Sequence, residues 1–314
     1  MNMKRLLTLL LALVFGLVAR GQNLAGTYLY AQRENQDLYL DVYAPTPGSE
    51  TFIGDKEKPT ILFIFGGAFI SGSRNENSHK TWYKLLNDNG YRVVAIDYRL
   101  GLKGVRMQFS LFKLTDTAKK TKHAVDLGVE DLFSAINYIC DHARGMGIDP
   151  ANIVVAGSSA GAMISLSAEY EICNGSPRAA VLPEGFNFAG VMSFAGAIMS
   201  DSGKPAYKRE PCPQLLFHGT DDKIVNYKKL SLGNWGLFGT NVLADVLQKG
   251  GYNYNVLRFQ GNGHDIAAYY LALWPEEKRF LEANVMQGQR RIVDALITDP
   301  ALPAWRSLSL DNLY

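Results

Sequence analysis

A serine near the middle of the chain is flanked by glycines at a spacing that suits nucleophilic catalysis. Residues 157–161 read Gly-Ser-Ser-Ala-Gly and directly follow the apolar run 153–156. In a Gly-x-Ser-x-Gly sequence a strand turns sharply into a helix, and the glycines let the backbone fold tightly around an exposed serine hydroxyl. The N–H groups at the start of that helix can stabilise negative charge nearby. The pattern makes Ser159 a candidate nucleophile.

A serine nucleophile needs a base to take its proton and a carboxylate to orient that base. The strand-like segment 214–217 leads to the adjacent carboxylates Asp221 and Asp222, and the strand-like segment 255–259 leads to His264. Because the carboxyl ends of parallel strands meet at one edge of a sheet, we expect these side chains to lie near the serine. The chain order is serine, acid, histidine.

The other four histidines have simpler interpretations. His218 ends a predicted strand and precedes Gly-Thr, which favours a structural hydrogen bond to the acid loop. His79, His123 and His142 are expected at the surface. Because no two histidines or cysteines stand at ligand spacing, no metal site is predicted.

Short apolar runs alternate with helical patterns along most of the chain, which predicts an α/β fold with a mostly parallel, doubly wound sheet. The first strands are expected near 26–30 and 37–43. Further apolar strands are expected at 61–65 and 93–97, and helices at 80–89, 129–145, 162–171, 241–249 and 274–296.

Segments 101–126, 199–213 and 228–239 do not fit this alternation and are candidates for small cap-like insertions over the site. Ordinary surface insertion is the alternative. Aromatic and methionine side chains in these segments are candidates to line a pocket, although such residues often pack within their own loop: Met107, Phe109, Tyr207, Trp235 and Phe238.

Taken in order, these motifs resemble the α/β-hydrolases of the carboxylesterase and lipase type over most of the mature chain. Residues 65–73 resemble the family's glycine-rich oxyanion loop, and 95–100 resemble the end of its fourth strand. Residues 147–153 resemble the turn into the strand before the nucleophile, and 218–222 resemble its acid loop. The resemblance implies an α/β-hydrolase fold and serine hydrolysis.

The resemblance implies that Ser159 is the nucleophile, His264 the general base and then acid, and Asp222 the orienting carboxylate. Family spacing places the acid four residues after the histidine of the acid loop, which selects Asp222. Asp221 remains the alternative.

The resemblance also implies an oxyanion hole made by the backbone N–H groups of Gly67, Ala68 and Ala160. Many relatives have histidine where this chain has Phe65, and a third glycine where it has Ala68. Many also have Asp or Glu where this chain has Ser158, so a charge is lost beside the nucleophile.

The N-terminus has the pattern of a secretory signal peptide over residues 1–21. Lys4 and Arg5 precede the apolar stretch 6–18, and small residues follow. Because that stretch is shorter than a membrane span, an uncleaved anchor is the weaker alternative. We expect a secreted or periplasmic protein whose residues 22–314 form a single domain, with no stable membrane insertion after cleavage.

The composition is that of an ordinary globular protein, with 47% hydrophobic and 20% charged residues. A net charge of +2 argues against a nucleic-acid partner. Cys173 and Cys212 are one pair that would bond in an oxidising compartment, and buried free thiols are the alternative.

These observations predict a secreted serine esterase that needs no cofactor and acts on a small-molecule or carbohydrate-linked ester. Acetyl and feruloyl esters of plant polysaccharide are candidate substrates, by analogy of compartment and family only. A serine exopeptidase and a catalytically inactive hydrolase-like binding protein are the alternatives. A peptidase of this fold usually has a gating domain, for which the chain has no room, and an inactive protein usually lacks a triad residue.

Overall fold

The computed structural model describes residues 23–33, 36–106 and 114–302. The predicted signal peptide, Met107 and Phe109 lie outside these residues. The strands are β1 Leu24–Arg33, β2 Gln36–Tyr43, β3 Phe52–Ile53, β4 Lys56–Glu57, β5 Thr60–Ile64, β6 Val93–Ile96, β7 Ile153–Ser158, β8 Gly190–Phe194, β9 Ala197–Ser200, β10 Gln214–Gly219, β11 Lys229–Leu232, β12 Trp235–Gly239, β13 Tyr254–Phe259 and β14 Val293–Ile297. The α-helices are α1 Asn77–Asp88, α2 Leu114–Met146, α3 Ala160–Asn174, α4 Thr240–Gly250 and α5 Tyr270–Arg279.

Within the described residues, nine strands form one sheet in the order β1-β2-β6-β5-β7-β8-β10-β13-β14. β1 and β2 are antiparallel to their neighbours, and every pairing from β6 to β14 is parallel. The protein therefore has the predicted α/β architecture with a mostly parallel sheet.

The central strands are covered on both faces. Every residue of β5, β6, β7 and β8 is buried, as expected for the apolar runs of a parallel sheet. Helix α3 follows β7 directly and is itself largely buried. The turn between β7 and α3 is therefore held by two closely packed elements.

The prediction of one helix over 274–296 is wrong in its second half. Helix α5 continues as a π-helix, Phe280–Met286, and the chain then enters β14. Residues in β14 alternate between half-buried and exposed, and they pair in parallel with β13. That two-residue period is characteristic of a strand at the edge of a sheet.

The prediction that a helix begins at residue 129 is wrong, because α2 begins at Leu114 and includes the second half of the segment 101–126. Residues 114–126 therefore belong to a long helix that packs against α3. Among the residues that the structure describes, no helix is both long enough and apolar enough to cross a membrane.

The other two predicted insertions meet in a second, smaller sheet. β11 and β12 form an antiparallel hairpin, and β12 pairs with β9. This three-stranded sheet lies beside the carboxyl end of the main sheet, where Met199 and Trp235 contribute to a cavity next to Ser159. Its position agrees with the prediction of a small cap.

Candidate active site

Ser159 occupies the sharp turn between β7 and α3, with φ 50° and ψ −115°. A non-glycine residue rarely adopts a positive φ, so this backbone is strained. The flanking glycines permit the turn. A Cβ on Gly161 would lie 2.1 Å from the carbonyl oxygen of Ile64, and one on Gly157 would lie 2.3 Å from that of Gly161. The sequence thus folds into the predicted nucleophile turn.

His264 and Asp222 come from the loops that follow β13 and β10, at the same edge of the sheet as Ser159. His264 Nε2 lies 2.8 Å from Ser159 Oγ, and His264 Nδ1 lies 2.7 Å from Asp222 Oδ2. The three predicted side chains therefore form a continuous hydrogen-bonded chain. This geometry allows the imidazole to accept the serine proton while the carboxylate holds the ring in one orientation.

The Asp222 carboxylate is almost fully buried, and its surroundings favour the charged form. Its Oδ1 accepts hydrogen bonds from the backbone N–H groups of Ile224 and Val225, at 2.8 and 3.0 Å. Burial alone would raise the pKa of this carboxyl, but hydrogen bonds from His218 and His264 hold the pKa well below its ordinary value. Asp222 is thus suited to remain a carboxylate anion and, in that form, to orient His264.

Asp221 is exposed and accepts a hydrogen bond from Thr220 Oγ1. His264 therefore contacts Asp222 and not its neighbour. The prediction for His218 is confirmed, since its Nε2 lies 2.9 Å from the Val225 carbonyl oxygen and 3.2 Å from Asp222 Oδ2.

The glycine-rich loop after β5 presents backbone N–H groups beside Ser159. Gly67 has φ 123°, and a Cβ there would lie 2.0 Å from the Ser71 carbonyl oxygen, so the loop requires glycine. Ala68 also has a positive φ of 54°. Within the described part of the chain, the N–H groups of Gly67, Ala68 and Ala160 have no hydrogen-bond acceptor. They are available to bind a substrate oxygen.

The remaining histidines are only partly as predicted. His123 and His142 are exposed. The prediction for His79 is wrong, because its side chain is buried against the rings of Phe63, Tyr83 and Tyr270. Its helical spacing with Trp82, Tyr83 and Leu86 places it on the apolar face of α1, and that signal is lost when the predicted helix begins at residue 80.

Two cavities meet at Ser159. An apolar cavity of about 280 Å³ lies under the small sheet and α2, with Phe69, Ala118, Met163, Met199, Trp235 and Leu237 among its lining residues. A more polar cavity of about 380 Å³ lies beside α1 and α5, with Ser71, Glu76, Ser78, His79, His264 and Tyr270 among its lining residues. The second cavity could not be predicted from the sequence.

Trp235 lines the apolar cavity as predicted. Tyr207 does not line either cavity at Ser159, since its ring packs against Tyr170 and its hydroxyl accepts a hydrogen bond from Gln214. Phe238 borders a separate surface pocket near Arg258. Neither residue lines the cavities at Ser159, and Tyr207 packs against other elements of the fold instead of within its own loop.

Among the described residues, no group of three or more His, Cys, Asp or Glu side chains could hold a metal ion. Cys173 and Cys212 are free thiols in the structure. Both contact the buried carboxyl of Glu169, through Cys173 Sγ at 3.2 Å and the Cys212 N–H at 2.8 Å.

The sheet order, the strained serine turn and the cluster at the strand ends define an α/β-hydrolase fold. A model of the carboxylesterase family matches residues 19–184, which is more than half of the chain. The chain therefore belongs to the carboxylesterase family. The matched segment contains the glycine-rich loop and Ser159 and ends before Asp222 and His264.

Individual curated proteins are similar to part of this chain. The para-nitrobenzyl esterase of Bacillus subtilis is 31% identical over 138 residues, which is 44% of this chain and 25% of the esterase. Neuroligin-2 of Mus musculus is 29% identical over 156 residues, which is 45% of this chain and 17% of that protein. The chain thus spans about a quarter or less of the length of these curated relatives.

Among solved structures, the propionate-bound esterase 2 of Thermogutta terrifontis superposes with a TM-score of 0.58 at 22% identity. The match covers 85% of this chain and 96% of that esterase. At this level of identity the similarity establishes the fold.

Proposed function

We propose that the protein hydrolyses carboxylic esters through an acyl-enzyme formed on Ser159. The observation that carries the proposal is the continuous chain of hydrogen bonds from Ser159 Oγ to His264 and on to Asp222. Membership in the carboxylesterase family supports ester bonds as the target. The esterase names of several relatives agree with it.

In the first half of the reaction, Ser159 Oγ attacks the ester carbonyl carbon as its proton moves to His264 Nε2. The N–H groups of Gly67, Ala68 and Ala160 bind the oxyanion, and each such donor is worth roughly 2–4 kcal/mol in the transition state. The intermediate then expels the alcohol, which takes the proton from His264. The acyl group remains bonded to Ser159.

In the second half, His264 removes a proton from water, and the resulting hydroxide attacks the acyl carbon. The same N–H groups bind the second oxyanion. When this intermediate collapses, Ser159 recovers its proton from His264 and the carboxylic acid leaves. This chain of steps uses only side chains and backbone groups of the protein together with water.

The proposal extends to location and organisation. We propose that residues 1–21 direct export and that residues 22–314 act as one secreted or periplasmic domain. In that setting acetyl and feruloyl esters of plant polysaccharide are candidate substrates. Their support is the predicted compartment alone.

The test is hydrolysis of p-nitrophenyl acetate and butyrate by the mature chain and its Ser159→Ala variant. We expect kcat to fall by at least about 10⁴-fold in the variant. Ser202→Ala, at an exposed serine outside both cavities, is the matched control and should retain full activity. A fluorophosphonate should label the wild type and not Ser159→Ala. Absence of both turnover and labelling in folded wild-type protein would refute the proposal.

A further inference from the structure

The two cavities beside Ser159 are distinguished by their access to His264. Both are lined by Ala68, Ser159 and Ile224, so they meet at the reacting atoms. His264 lines the polar cavity and is not among the residues that line the apolar one. Of the two cavities, only the polar one therefore places a bound group beside the imidazole that donates the proton.

This difference between the cavities indicates which one holds the alcohol half of the ester and which one holds the acyl half. The leaving alcohol must accept a proton from His264 Nε2, so it must lie on the side of the imidazole. The polar cavity is thus the alcohol side, and the apolar cavity is the acyl side. This assignment depends on the proposed function, because it follows from the direction of proton transfer in ester cleavage.

The alcohol side contains an unneutralised carboxylate. Glu76 lies at the start of α1, and its Oε1 accepts a hydrogen bond from the Ser73 N–H at 3.1 Å. Among the described residues, no Lys, Arg or His forms an ion pair with Glu76. A carboxylate in this position can accept strong hydrogen bonds from a ligand.

A second polar side chain on the alcohol side, His79, has one ring nitrogen without a hydrogen bond. His79 is 8% exposed, and its Nδ1 makes no hydrogen bond within the described structure. Buried polar atoms normally have partners, so an unpartnered one in a side chain that lines a cavity points to a ligand or water. The hydroxyls of Ser71 and Ser78 line the same cavity. The set offers both donors and acceptors.

We propose that the alcohol side selects esters whose alcohol is a polyol or sugar, recognised through Glu76 and His79. Hydroxyl groups on neighbouring carbons both donate and accept, which matches this set. A cationic alcohol would form a favourable interaction with Glu76 alone. The imidazole and the two serines would add little to its binding.

The acyl side accommodates an apolar group larger than acetyl. Its lining is mostly apolar, although Thr115, Thr121 and Ser231 also contribute, and its lining residues Leu230 and Leu232 are 61% and 59% exposed. Because a water-sized group takes roughly 30 Å³, a cavity of about 280 Å³ holds several more heavy atoms than an acetyl group. The substrate is thus a medium-chain or aromatic acyl ester of a polyol, which favours the feruloyl candidate over the acetyl one.

The alcohol preference is tested with 1-glyceryl butyrate and propyl butyrate, which share the acyl group and differ only in two hydroxyls. We expect the wild type to favour the glyceryl ester in kcat/KM. Glu76→Gln should lower that preference about tenfold, mainly through KM, because a hydrogen bond to a charged group becomes one to a neutral group. Glu184→Gln, at an exposed glutamate outside both cavities, is the matched control.

Each outcome has a distinct meaning. If both esters are hydrolysed and Glu76→Gln leaves their ratio unchanged, the assignment of Glu76 is wrong. If butyrylcholine is the ester whose kcat/KM falls most in Glu76→Gln, the polyol assignment is replaced by a cationic one. If no ester is hydrolysed and the fluorophosphonate does not label Ser159, the proposed function itself fails.

The acyl side is tested with p-nitrophenyl acetate, butyrate and hexanoate. The wild type should favour butyrate and hexanoate over acetate. Ala118→Phe would fill part of the cavity and should lower the ratio of hexanoate to acetate hydrolysis at least about fivefold. Ala206→Phe, at an exposed alanine outside both cavities, controls for added bulk. An unchanged chain-length profile in Ala118→Phe would place the acyl group elsewhere.

Discussion

The Ser158 hydroxyl donates a 2.8 Å hydrogen bond to the carbonyl oxygen of Ala267. Ser158 ends β7 immediately before Ser159, and Ala267 lies in the short 3₁₀-helix that begins at His264. The bond therefore joins the nucleophile turn to the histidine loop. Many esterases have a carboxylate at the position of Ser158. Here a neutral hydroxyl links the two loops.

We expect Ser158→Ala to lower kcat about tenfold with little change in KM, because the histidine loop loses a tether. The buried Ala267 carbonyl would lose its partner, which costs about 1–3 kcal/mol of stability. Kinetics on p-nitrophenyl butyrate and urea unfolding measure the two effects. Ser158→Thr keeps the hydroxyl and should restore part of kcat.

Ser167→Ala is the matched control for this prediction. Ser167 is also buried, and its Oγ makes no hydrogen bond within the described structure. Its removal should leave both kcat and stability nearly unchanged. Equal losses in Ser158→Ala and Ser167→Ala would show that the hydrogen bond to Ala267 has no special role.

The main sheet could be predicted from sequence because its central strands are continuous apolar runs, and 153–156 is an example. The small sheet could not. All four residues of β11 are exposed, and the alternation of Leu230 and Leu232 with polar residues is no longer than the shortest pattern that indicates a strand. The sequence predicts helix where β14 lies, because the weak two-residue alternation of this strand follows a long helical pattern.

The positions of Ser159, Asp222 and His264 could be inferred because each follows a predicted strand, and parallel strands end at one edge. Glu76 and His79 could not be linked to the site in this way. They lie on and before a helix whose spacing of His79, Trp82 and Tyr83 indicates its buried face but not which part of the sheet that face meets. Only the packing of α1 against the sheet brings them to the cavity.

We expect Gly161→Ala to disrupt the nucleophile turn. Its Cβ would lie 2.1 Å from the Ile64 carbonyl oxygen, and backbone atoms cannot yield as a flexible side chain does. Stability should fall by at least about 2 kcal/mol, and kcat should fall at least about 100-fold because the serine moves. Thermal unfolding and ester hydrolysis measure both losses.

Gly145→Ala provides the contrast. Gly145 lies in α2, and a Cβ there would meet nothing within 4 Å. Alanine restricts the unfolded chain and suits a helix, so stability should rise by roughly 0.5–1 kcal/mol. If both variants lose stability, the cause is a general sensitivity to alanine and not the contact at the turn.

We expect Asp222→Asn to lower kcat by about 10⁴-fold while the fold is retained. An amide that donates to His264 Nδ1 would favour the tautomer in which Nε2 carries the proton, and that nitrogen could not accept one from Ser159. Asp221→Asn, at the exposed neighbour, should change kcat less than about twofold. The reverse ranking of the two variants would assign the orienting role to Asp221.

A pH-dependent stability is expected from Glu277, which is fully buried on α5. Trp82 Nε1 donates to its Oε2 at 2.8 Å, and its Oε1 has no partner among the described residues. Burial raises the pKa of this carboxyl well above its ordinary value, despite the Trp82 hydrogen bond. The folded protein therefore binds a proton that the unfolded chain releases at about pH 4.3.

The sign follows from this difference in proton binding. The contribution of Glu277 to stability is fully present below about pH 4.3 and is lost as pH rises towards the folded pKa, by about 1.4 kcal/mol per pH unit. Glu277→Gln keeps the shape and an acceptor for Trp82 and cannot ionise. Relative to wild type, it should therefore become more stable as pH rises from 5 to 8.

Urea unfolding of both proteins at pH 5 and pH 8 measures this change, because other titrating groups contribute equally to each and cancel in the difference. Glu184→Gln, at an exposed glutamate, should show a difference from wild type that does not vary with pH. If the difference between Glu277→Gln and wild type is likewise constant, the buried carboxyl does not gain a proton on folding. In that case we would infer that Glu277 is charged in the folded protein and that an ordered water stabilises it through Oε1.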